Sequence, residues 1–382
     1  MEPARDEPLS RRVRVLAWLA TVSLAVALLP RAVAGRDANG WFDGQAETQD
    51  LLARHVARRV LAQKDPVFYR TGSARFDGQS AIAIYQMTLL GLGQIALEHP
   101  EKRAAYLPAM RWAADRLVDP RTLVYAASVY GQHGAVRMLP GQGHAYMGYV
   151  NLGLGMLRLL EPDNPHAALH DRITDDLARR LFASPTGLIE TYPGETWPPD
   201  VAAVAGSIGL HARATGRDRH AELATFSQRF ASCAIDASGY LVQRVRSGSC
   251  APMDAPRGSG TAVASYFLSF ADPALSARLH DALHRNGRRS LLGFGGLYEY
   301  APGFSGKGDV NAGPIVLGVS VGATGFGIAS ARVHRDRELF TELYRTASFF
   351  GVPTSRDGER PFAVGGALGN ALLLAMLTAR PP

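Results

Sequence analysis

The sequence predicts an all-α fold, an (α/α)6 toroid of six helical hairpins with short β segments in its loops. Two observations lead to this prediction. Six times along the 382-residue chain, a charged segment with helical periodicity is followed by a loop and then by a segment of small and apolar residues. The pattern returns about every 55–60 residues, and two-helix units at a constant period are typical of repeat architectures. In such a ring, the loops that lead into the six inner helices open on one face, around a central cavity.

The charged segments predict the six outer helices. In the first of them, Leu52, Val56 and Val60 recur at helical spacing and form one apolar stripe. We expect the outer helices at Thr48–Gln63, Glu101–Leu117, Pro165–Phe182, Asp218–Cys233, Pro273–Arg285 and Arg335–Phe350.

The small and apolar segments predict the inner helices. The first of them is small or apolar on almost every face, which is typical of a helix buried on all sides. We expect the inner helices at Gln79–Glu98, His144–Leu160, Pro199–Thr215, Gly260–Phe270, Gly313–Ser330 and Gly365–Thr378. Short strands are expected at Leu241–Val245 and Gly296–Tyr300. Because no stretch after residue 40 has the composition of a linker, residues 35–382 are predicted to form one barrel domain.

The first 34 residues have the layout of an export signal. Arginines at positions 11, 12 and 14 precede the apolar run Val15–Leu29, and Ala32-Val33-Ala34 offers a small-residue cleavage site. The run is short for a membrane-spanning helix. We therefore predict that residues 1–34 are a signal peptide and that the protein is periplasmic. The alternative is an uncleaved segment, residues 15–30, that anchors the protein in the inner membrane.

The composition is that of a globular protein, with 47% hydrophobic and 20% charged residues and a net charge of +7. The arginines are scattered among acidic residues on the predicted outer helices and are not clustered with aromatic residues. We therefore expect no nucleic-acid partner.

Cys233 and Cys250 are the only cysteines of the chain. In an exported protein, an even number of cysteines predicts a disulfide bond. A turn signal around Gly239 and the strand-like Leu241–Val245 lie between them, so a short loop closed at its base fits the sequence. The alternative is two buried, reduced thiols.

The most polar loop, residues 190–200, leads into the third inner helix. Asp200 falls in the first turn, where the helix dipole favours its charged form. Glu195 stands beside Trp197 and near three prolines, a drier setting that favours a neutral carboxyl group. Two carboxyl groups in unlike environments suit acid/base chemistry. We predict that both are catalytic and that Tyr192 and Trp197 bind substrate; the alternative is that Asp200 only caps the helix and that Glu190 or Glu195 pairs with an arginine.

The loop that leads into the fifth inner helix, residues 298–314, is the second candidate. Its glycines allow the backbone to approach a ligand closely. Asp309 is predicted to be catalytic, and Tyr298 and Asn311 are predicted to bind substrate. The alternative for Asp309 is a cap at the start of the helix. Lys307 is expected to be a solvated loop charge.

Other inner helices contribute candidates to the same rim. On the second, His144 suits a proton carrier near neutral pH, and Tyr149 and Asn151 are expected to face the cavity because buried polar groups need partners. We predict that Tyr149 orients the substrate in the catalytic site and that His144 and Asn151 bind it. Arg257 suits an anionic or polar substrate group, and Tyr85 is a further binding candidate on the first inner helix.

The sequence contains no signature of cofactor or metal chemistry. No H-E-x-x-H or H-x-H motif is found. A P-loop, a dinucleotide-binding glycine pattern in its strand-turn-helix setting and a G-x-S-x-G elbow are also missing. An enzyme of this sequence is therefore expected to use acid/base groups, with no metal and no cofactor, on a small-molecule substrate.

The chain resembles the linalool dehydratase-isomerase-like group of exported α/α-barrel proteins. The resemblance spans most of residues 45–378 and is carried by Gly143–Asn151, Glu195–Asp200 and Asp309–Thr324, in the same order. It implies a cofactor-independent enzyme that protonates and deprotonates a small terpene alcohol with Asp, Tyr, His and Cys side chains. The chain departs from the family pattern in having Tyr149 after Gly148, where the family has a histidine. It also has Asp200 near a family cysteine.

Three functions are open at this point. The first is a lyase or isomerase acting on a small, largely apolar alcohol or alkene. The second is a six-hairpin carbohydrate enzyme, such as a glycosidase, a polysaccharide lyase or a uronyl epimerase, in which paired carboxylates and cavity aromatics serve equally well. The third is a non-catalytic ligand-binding protein. A cavity lined by Met, Phe and Leu favours the first function, and an open groove with exposed Trp and Tyr favours the second.

Overall fold

The computed structural model describes residues 11–66, 78–123 and 144–380. Two N-terminal helices, α1 (Arg11–Ala34) and α2 (Ala38–Phe42), precede the six hairpins. The outer helices are α3 (Ala46–Ala62), α5 (Arg103–Leu117), α7 (Ala167–Ala183), α9 (His220–Ala234), α11 (Pro273–Ala282) and α13 (Arg337–Gly351). The inner helices are α4 (Gln79–Glu98), α6 (His144–Leu160), α8 (Pro198–Thr215), α10 (Gly258–Leu268), α12 (Val321–Val333) and α14 (Gly366–Leu377).

The inner helices form a closed ring. Each packs against the next in chain order, from α4 through α14, and α14 packs back against α4. Small residues allow this close approach: a side chain at Gly148 of α6 would collide with the backbone of Val204 in α8, and one at Gly209 with the carbonyl of Phe270. The six-hairpin toroid predicted from the sequence is therefore confirmed.

The ring is sealed across its axis near the C-terminal ends of the inner helices. The hydroxyl of Tyr266 on α10 donates a 2.7 Å hydrogen bond to Oε1 of Gln94 on α4, and these two helices stand opposite one another in the ring. Nε2 of Gln94 donates to the carbonyl of Ala375 and to the hydroxyl of Thr378, each at 3.0 Å. These groups are fully buried. Among the described residues, these contacts close the axis of the ring near the C-terminal ends of its inner helices, so the described cavity opens toward their N-terminal ends.

The described loops contain six short strands. Strands β1 (Glu195–Thr196) and β2 (Val245–Arg246) pair antiparallel, with Glu195 opposite Arg246. The others form an antiparallel sheet in the order β3-β4-β6-β5, with Leu297 opposite Ser320 where β4 meets β6. Its strands are β3 (Arg288–Leu291), β4 (Phe294–Tyr298), β5 (Ile315–Val316) and β6 (Val319–Ser320).

The fifth hairpin differs from its prediction at both helices. The inner helix was expected to start at Gly313 but starts at Val321, because Ser320 caps it by accepting the N–H of Ala323 and the preceding residues form β5 and β6. The outer helix ends at Ala282 and continues as a π-helical turn, Leu283–Gly287.

The N-terminal segment forms the single helix α1, which packs on α13. Its apolar side chains are largely exposed, with Trp18 at 64%. Export and anchoring stay predictions. By length and composition, Gln79–Glu98 is the one described helix that could cross a membrane, and it is the buried inner helix α4.

The predicted disulfide bond is confirmed. Cys233 near the end of α9 is bonded to Cys250 after β2, with Cα atoms 5.0 Å apart. The bond ties the loop that carries β2 to the outer layer of the ring.

Candidate active site

A cavity of about 420 Å³ lies at the open end of the ring, and every inner helix contributes to its wall. Its apolar lining residues are Ile82, Ala83, Met87, Val263, Phe326, Leu368 and Leu372. Its polar and aromatic lining residues are Gln79, Gln86, Tyr146, Tyr149, Tyr192, Trp197, Asp200, Gln243, Ser259 and Asn311. Ligand sites commonly combine a large apolar wall with a few polar groups.

Tyr149 and Asp200 meet in this wall. The Tyr149 hydroxyl donates a 2.5 Å hydrogen bond to Oδ1 of Asp200. Tyr149 is in the second turn of α6 and Asp200 in the first turn of α8, and the close packing of these helices brings the two side chains together. The Tyr149 ring also makes an edge contact with Phe267, at 5.9 Å between ring centres. Both residues were predicted from the sequence, and the structure brings them together.

The environment of Asp200 raises its pKa to about 7. Burial is the largest cause, and the nearby charge of Asp309 acts in the same direction. Hydrogen bonds from Tyr149 and Thr191 lower the pKa, but by less than burial raises it. Burial also raises the pKa of Tyr149 well above its usual range, so the phenol keeps its proton. Asp200 can therefore both give and take a proton near neutral pH.

The pKa of Asp200 and the partner of Glu195 differ from what the sequence predicts. Asp200, expected to be charged, is the carboxyl group whose burial favours the neutral form. Glu195, expected to be the drier group, accepts a 2.8 Å hydrogen bond from Nη1 of Arg244 in an ion pair. Its side chain is buried and is not part of the described cavity wall. The arginine-paired alternative describes Glu195.

Asp309 and Arg257 form an ion pair behind the wall. Nη1 of Arg257 donates to Oδ2 of Asp309 at 2.8 Å, and Nη2 donates to Asp254. The other oxygen of Asp309 accepts the backbone N–H groups of Asn311 and Ala312. These bonds hold the turn at residues 309–312; the alternative given for Asp309, a cap at the start of the helix, does not apply because α12 starts at Val321. Arg257 is only 5% exposed and its charge is paired, which corrects its prediction as a substrate-binding group.

Three other predicted residues do not reach the described cavity wall. Asn151 donates to Thr174 of the outer layer and to Ser207, at 2.9 and 3.0 Å, so it faces away from the cavity. Tyr85 accepts a hydrogen bond from Gln63 just after α3. Tyr298 lies under the guanidinium group of Arg289, with 4.3 Å between that group and the ring centre. These placements correct the three predictions.

Tyr192, Trp197 and Asn311 line the cavity, as expected for substrate-binding residues. The amide of Gln79 donates a short hydrogen bond to the Tyr192 hydroxyl and fixes it in the wall. The side chain of His144 lies outside the described part of the structure.

Sequence reasoning missed Glu299. Its side chain is fully buried and accepts hydrogen bonds from Ser259 at 2.7 Å and from Ser320 at 2.6 Å. Burial raises its pKa. Because Ser259 belongs to the cavity wall, Glu299 fixes that part of the wall from behind. Its neighbours in the sequence are two tyrosines. This pattern does not predict that two serine hydroxyls bind its carboxyl group.

The comparisons with known proteins concern the fold. The unsaturated glucuronyl hydrolase from Bacillus sp. GL1, responsible for the degradation of glycosaminoglycan, is similar, with 12% identity and a TM-score of 0.47 over 87% of this chain and 95% of that chain. The unsaturated glucuronyl hydrolase from Streptococcus agalactiae has 10% identity and a TM-score of 0.42 over 86% of this chain and 91% of that chain. No family model and no curated protein matches the sequence.

The six-hairpin fold of this chain is established by the closed ring of its own inner helices. The resemblance to the linalool dehydratase-isomerase-like group is not shown by these comparisons.

Proposed function

We propose that this protein is an acid/base enzyme that interconverts a small, largely apolar alcohol and an alkene, with Asp200 as the proton-transferring residue. One observation carries the proposal. A half-buried carboxyl group whose pKa is raised to about 7, held by a tyrosine, borders a cavity that is lined mostly by apolar surface. A group of this kind is ionised and protonated to similar extents near neutral pH, which suits both halves of a proton transfer.

The reaction would use both forms of the carboxyl group. Protonated Asp200 donates its proton to the substrate hydroxyl, the C–O bond breaks, and water leaves. The carboxylate then removes a proton from the neighbouring carbon, so that the alcohol gives an alkene and one water. Asp200 ends the cycle protonated, and the reverse steps hydrate an alkene. Tyr149 keeps its own proton throughout and holds the carboxyl group in position.

The apolar lining residues support the choice of substrate. Met87, Phe326, Leu368 and Leu372 offer a surface on which the hydrocarbon part of a substrate loses its contact with water. Such burial contributes about 25 cal/mol per Å² of apolar surface. A volume of about 420 Å³ is in the range of small-molecule pockets.

A carbohydrate-active enzyme is the second candidate, and the polar lining residues favour it. Gln79, Gln243, Ser259 and Asn311 offer amide and hydroxyl groups, and Trp197 offers an aromatic face. The structures with a similar fold are named unsaturated glucuronyl hydrolases, and enzymes of that name belong to this second class. At their level of similarity they carry no argument about the reaction. Asp200 would have the same role in protonating a glycosidic oxygen or a sugar double bond.

The test is a substrate panel with a matched variant. Purified protein is incubated with small tertiary and allylic alcohols and the corresponding alkenes, and separately with unsaturated glucuronyl disaccharides and neutral glycosides. We expect turnover in the first group, detected by gas chromatography, and a loss of about 10²–10⁴-fold in Asp200→Asn. Turnover confined to the sugars would replace the first candidate by the second. Binding without turnover in both groups would make the protein a ligand-binding one.

A further inference from the structure

Two histidines and an aspartate of the outer layer direct ligand atoms at one another, away from the residues that line the cavity. His280 belongs to α11, His284 to the π-helical turn that follows, and Asp336 to the N-terminal cap of α13. One ligand atom from each lies within 4.8 Å of the others. We propose that this cluster is a structural site for a divalent metal ion, and its ligand chemistry points to Zn²⁺.

The distances are close to those of a metal site. Nε2 of His280 lies 3.3 Å from Oδ2 of Asp336, and Nδ1 of His284 lies 2.6 Å from the same oxygen. Zinc binds such ligands at about 2.0–2.2 Å in a tetrahedron, so neighbouring ligand atoms are roughly 3.3–3.5 Å apart. The distance from His280 to Asp336 already fits this range. The distance from His284 to Asp336 needs to lengthen by roughly 0.7 Å, which a rotation of the partly exposed His284 side chain would provide.

The backbone explains why the three groups converge. Two histidines four residues apart on a helix present their rings to the same side, which is the spacing of many zinc-binding helices. The helix widens into a π-helical turn at His284, a local irregularity that is frequent at functional sites. On the facing helix, Oδ1 of Asp336 accepts the N–H of Leu339 at 3.0 Å, which leaves Oδ2 for the histidines.

The second nitrogen of His280 also has a partner. Nδ1 of His280 lies 3.0 Å from the hydroxyl of Ser330 on inner helix α12, and that hydroxyl is 2.9 Å from the hydroxyl of Ser265 on α10. A partner of this kind orients the imidazole so that its free nitrogen faces the metal. The site would therefore link the outer helices of the fifth and sixth hairpins to the inner ring.

The surrounding charges suit a cation. Arg288 has a nitrogen 3.5 Å from Nε2 of His284, but its charge is offset by ion pairs with Glu338 at 2.5 Å and Glu342 at 2.9 Å. The side chain of His284 is 38% exposed, so an ion can enter and water can complete the coordination.

A helix cap held by one histidine is the competing explanation, and it needs only a single histidine. His166 and Asp115 form a His–Asp pair with one histidine, 2.8 Å apart. Within residues 11–66, 78–123 and 144–380, no second group of three His, Cys, Asp or Glu residues converges in the same way. Sequence reasoning found no H-E-x-x-H motif but overlooked that His280 and His284 have the same four-residue spacing, with Asp281 in place of the glutamate.

The test measures metal binding by the full-length, untagged chain after chelation and removal of the chelator. Zn²⁺ is titrated by calorimetry, and Co²⁺ is added as a spectroscopic probe of tetrahedral coordination. We expect one tight Zn²⁺ per chain, a visible Co²⁺ absorption band and a rise in Tm. His284→Gln and Asp336→Asn should each weaken binding by at least about tenfold. Asparagine retains the oxygen that caps α13, so Asp336→Asn removes a ligand charge without removing the cap.

His166→Gln is the matched control, because it breaks a His–Asp pair that contains one histidine. It should leave Zn²⁺ affinity and the Co²⁺ spectrum unchanged. Circular dichroism of each variant without metal verifies that it is folded. Absence of stoichiometric binding would overturn the proposal, as would equal affinity in the wild type and both ligand variants, or an equal loss in the control.

Discussion

The hydroxyl of Tyr149 donates a 2.5 Å hydrogen bond to Asp200 although the two residues lie on different inner helices of the ring. The bond lowers the pKa of Asp200 while burial raises it to about 7. The proton affinity of this carboxyl group is therefore a balance between burial and a hydrogen bond, and Tyr149→Phe removes the hydrogen bond alone.

Asp200→Asn should abolish most of the activity and keep the fold. The amide oxygen can still accept the hydrogen bond from Tyr149, but the side chain no longer transfers a proton. We expect kcat to fall by about 10²–10⁴-fold on the substrate found by the panel. Glu195→Gln is the comparison, because Glu195 is a buried carboxyl group of the same loop paired with Arg244. If Glu195→Gln lost as much activity as Asp200→Asn, the assignment of the proton carrier would have to move to Glu195.

Tyr149→Phe should shift the pH dependence of the reaction. Loss of the hydrogen bond removes a cause that lowers the pKa of Asp200, so that pKa should rise. The protonated form then persists to higher pH, and the alkaline limb of the kcat profile should move upward. An unchanged profile with a raised KM would show that Tyr149 only contacts the substrate.

Asp200→Asn should also stabilise the protein at alkaline pH. The pKa of Asp200 is raised from 3.8 to about 7, so between these values the folded protein holds a proton that the unfolded chain has lost. The free energy of unfolding then decreases as pH rises through this window. Asp200→Asn has no carboxyl group to ionise at this position, so its free energy of unfolding does not decrease for this reason. Its advantage over the wild type should be small near pH 4 and reach about 1–3 kcal/mol at pH 8, since water in the cavity reduces the full burial cost.

Urea denaturation of both proteins at the two pH values measures this difference, and the other titrating groups cancel between them. An advantage of the same size at both pH values would mean that Asp200 does not titrate in this window.

Loss of the Cys233–Cys250 disulfide should lower stability. In the chain-entropy description, a bond closing a loop of this length stabilises the fold by about 3 kcal/mol. We expect Cys233→Ser/Cys250→Ser to unfold at lower urea concentration than the oxidised wild type and at a similar concentration to the reduced wild type. Two reactive thiols in the denatured, unreduced protein would contradict the pairing.

The N-terminal segment should direct export. Fusion of residues 1–40 to a reporter that is active only in the periplasm should give signal, because positive charges precede an apolar run. Polar replacement of the leucines between residues 16 and 29 should abolish the signal. A reporter that stays silent with the native segment would remove the prediction of export.

The ring of inner helices could be predicted because the small and apolar residues that bury each helix lie within one continuous segment of the sequence. Residue composition alone marks α4 and α6 as buried helices, and the predicted bounds Gln79–Glu98 and His144–Leu160 are those observed. The start of α12 could not be found in this way. Glycine and proline at residues 313 and 314 suggested a helix start, but Ser320 provides the cap, because residues 315–320 pair as strands.

The candidate site was predictable as a set of residues but not as an arrangement. Asp200 was expected to be charged because its helix dipole is visible in the sequence, whereas its burial depends on the packing of other hairpins. Arg244, the partner of Glu195, comes from a loop 49 residues away. The error on Asn151 was avoidable. Residues two positions apart on an α-helix point roughly 200° apart, so Tyr149 and Asn151 cannot both face the cavity.

The hydrogen bond between Tyr266 and Gln94 affects how substrates and products enter and leave the cavity. In the part of the chain that the structure describes, these buried contacts close the axis opposite the mouth, so a ligand that enters by the mouth is expected to leave by the same opening. A long polymer cannot thread through the ring and be cut at internal positions. It can offer only its end, so an activity on polysaccharides would remove terminal units one at a time. For a small alcohol, the water that is released would depart through the passage that admits the next substrate.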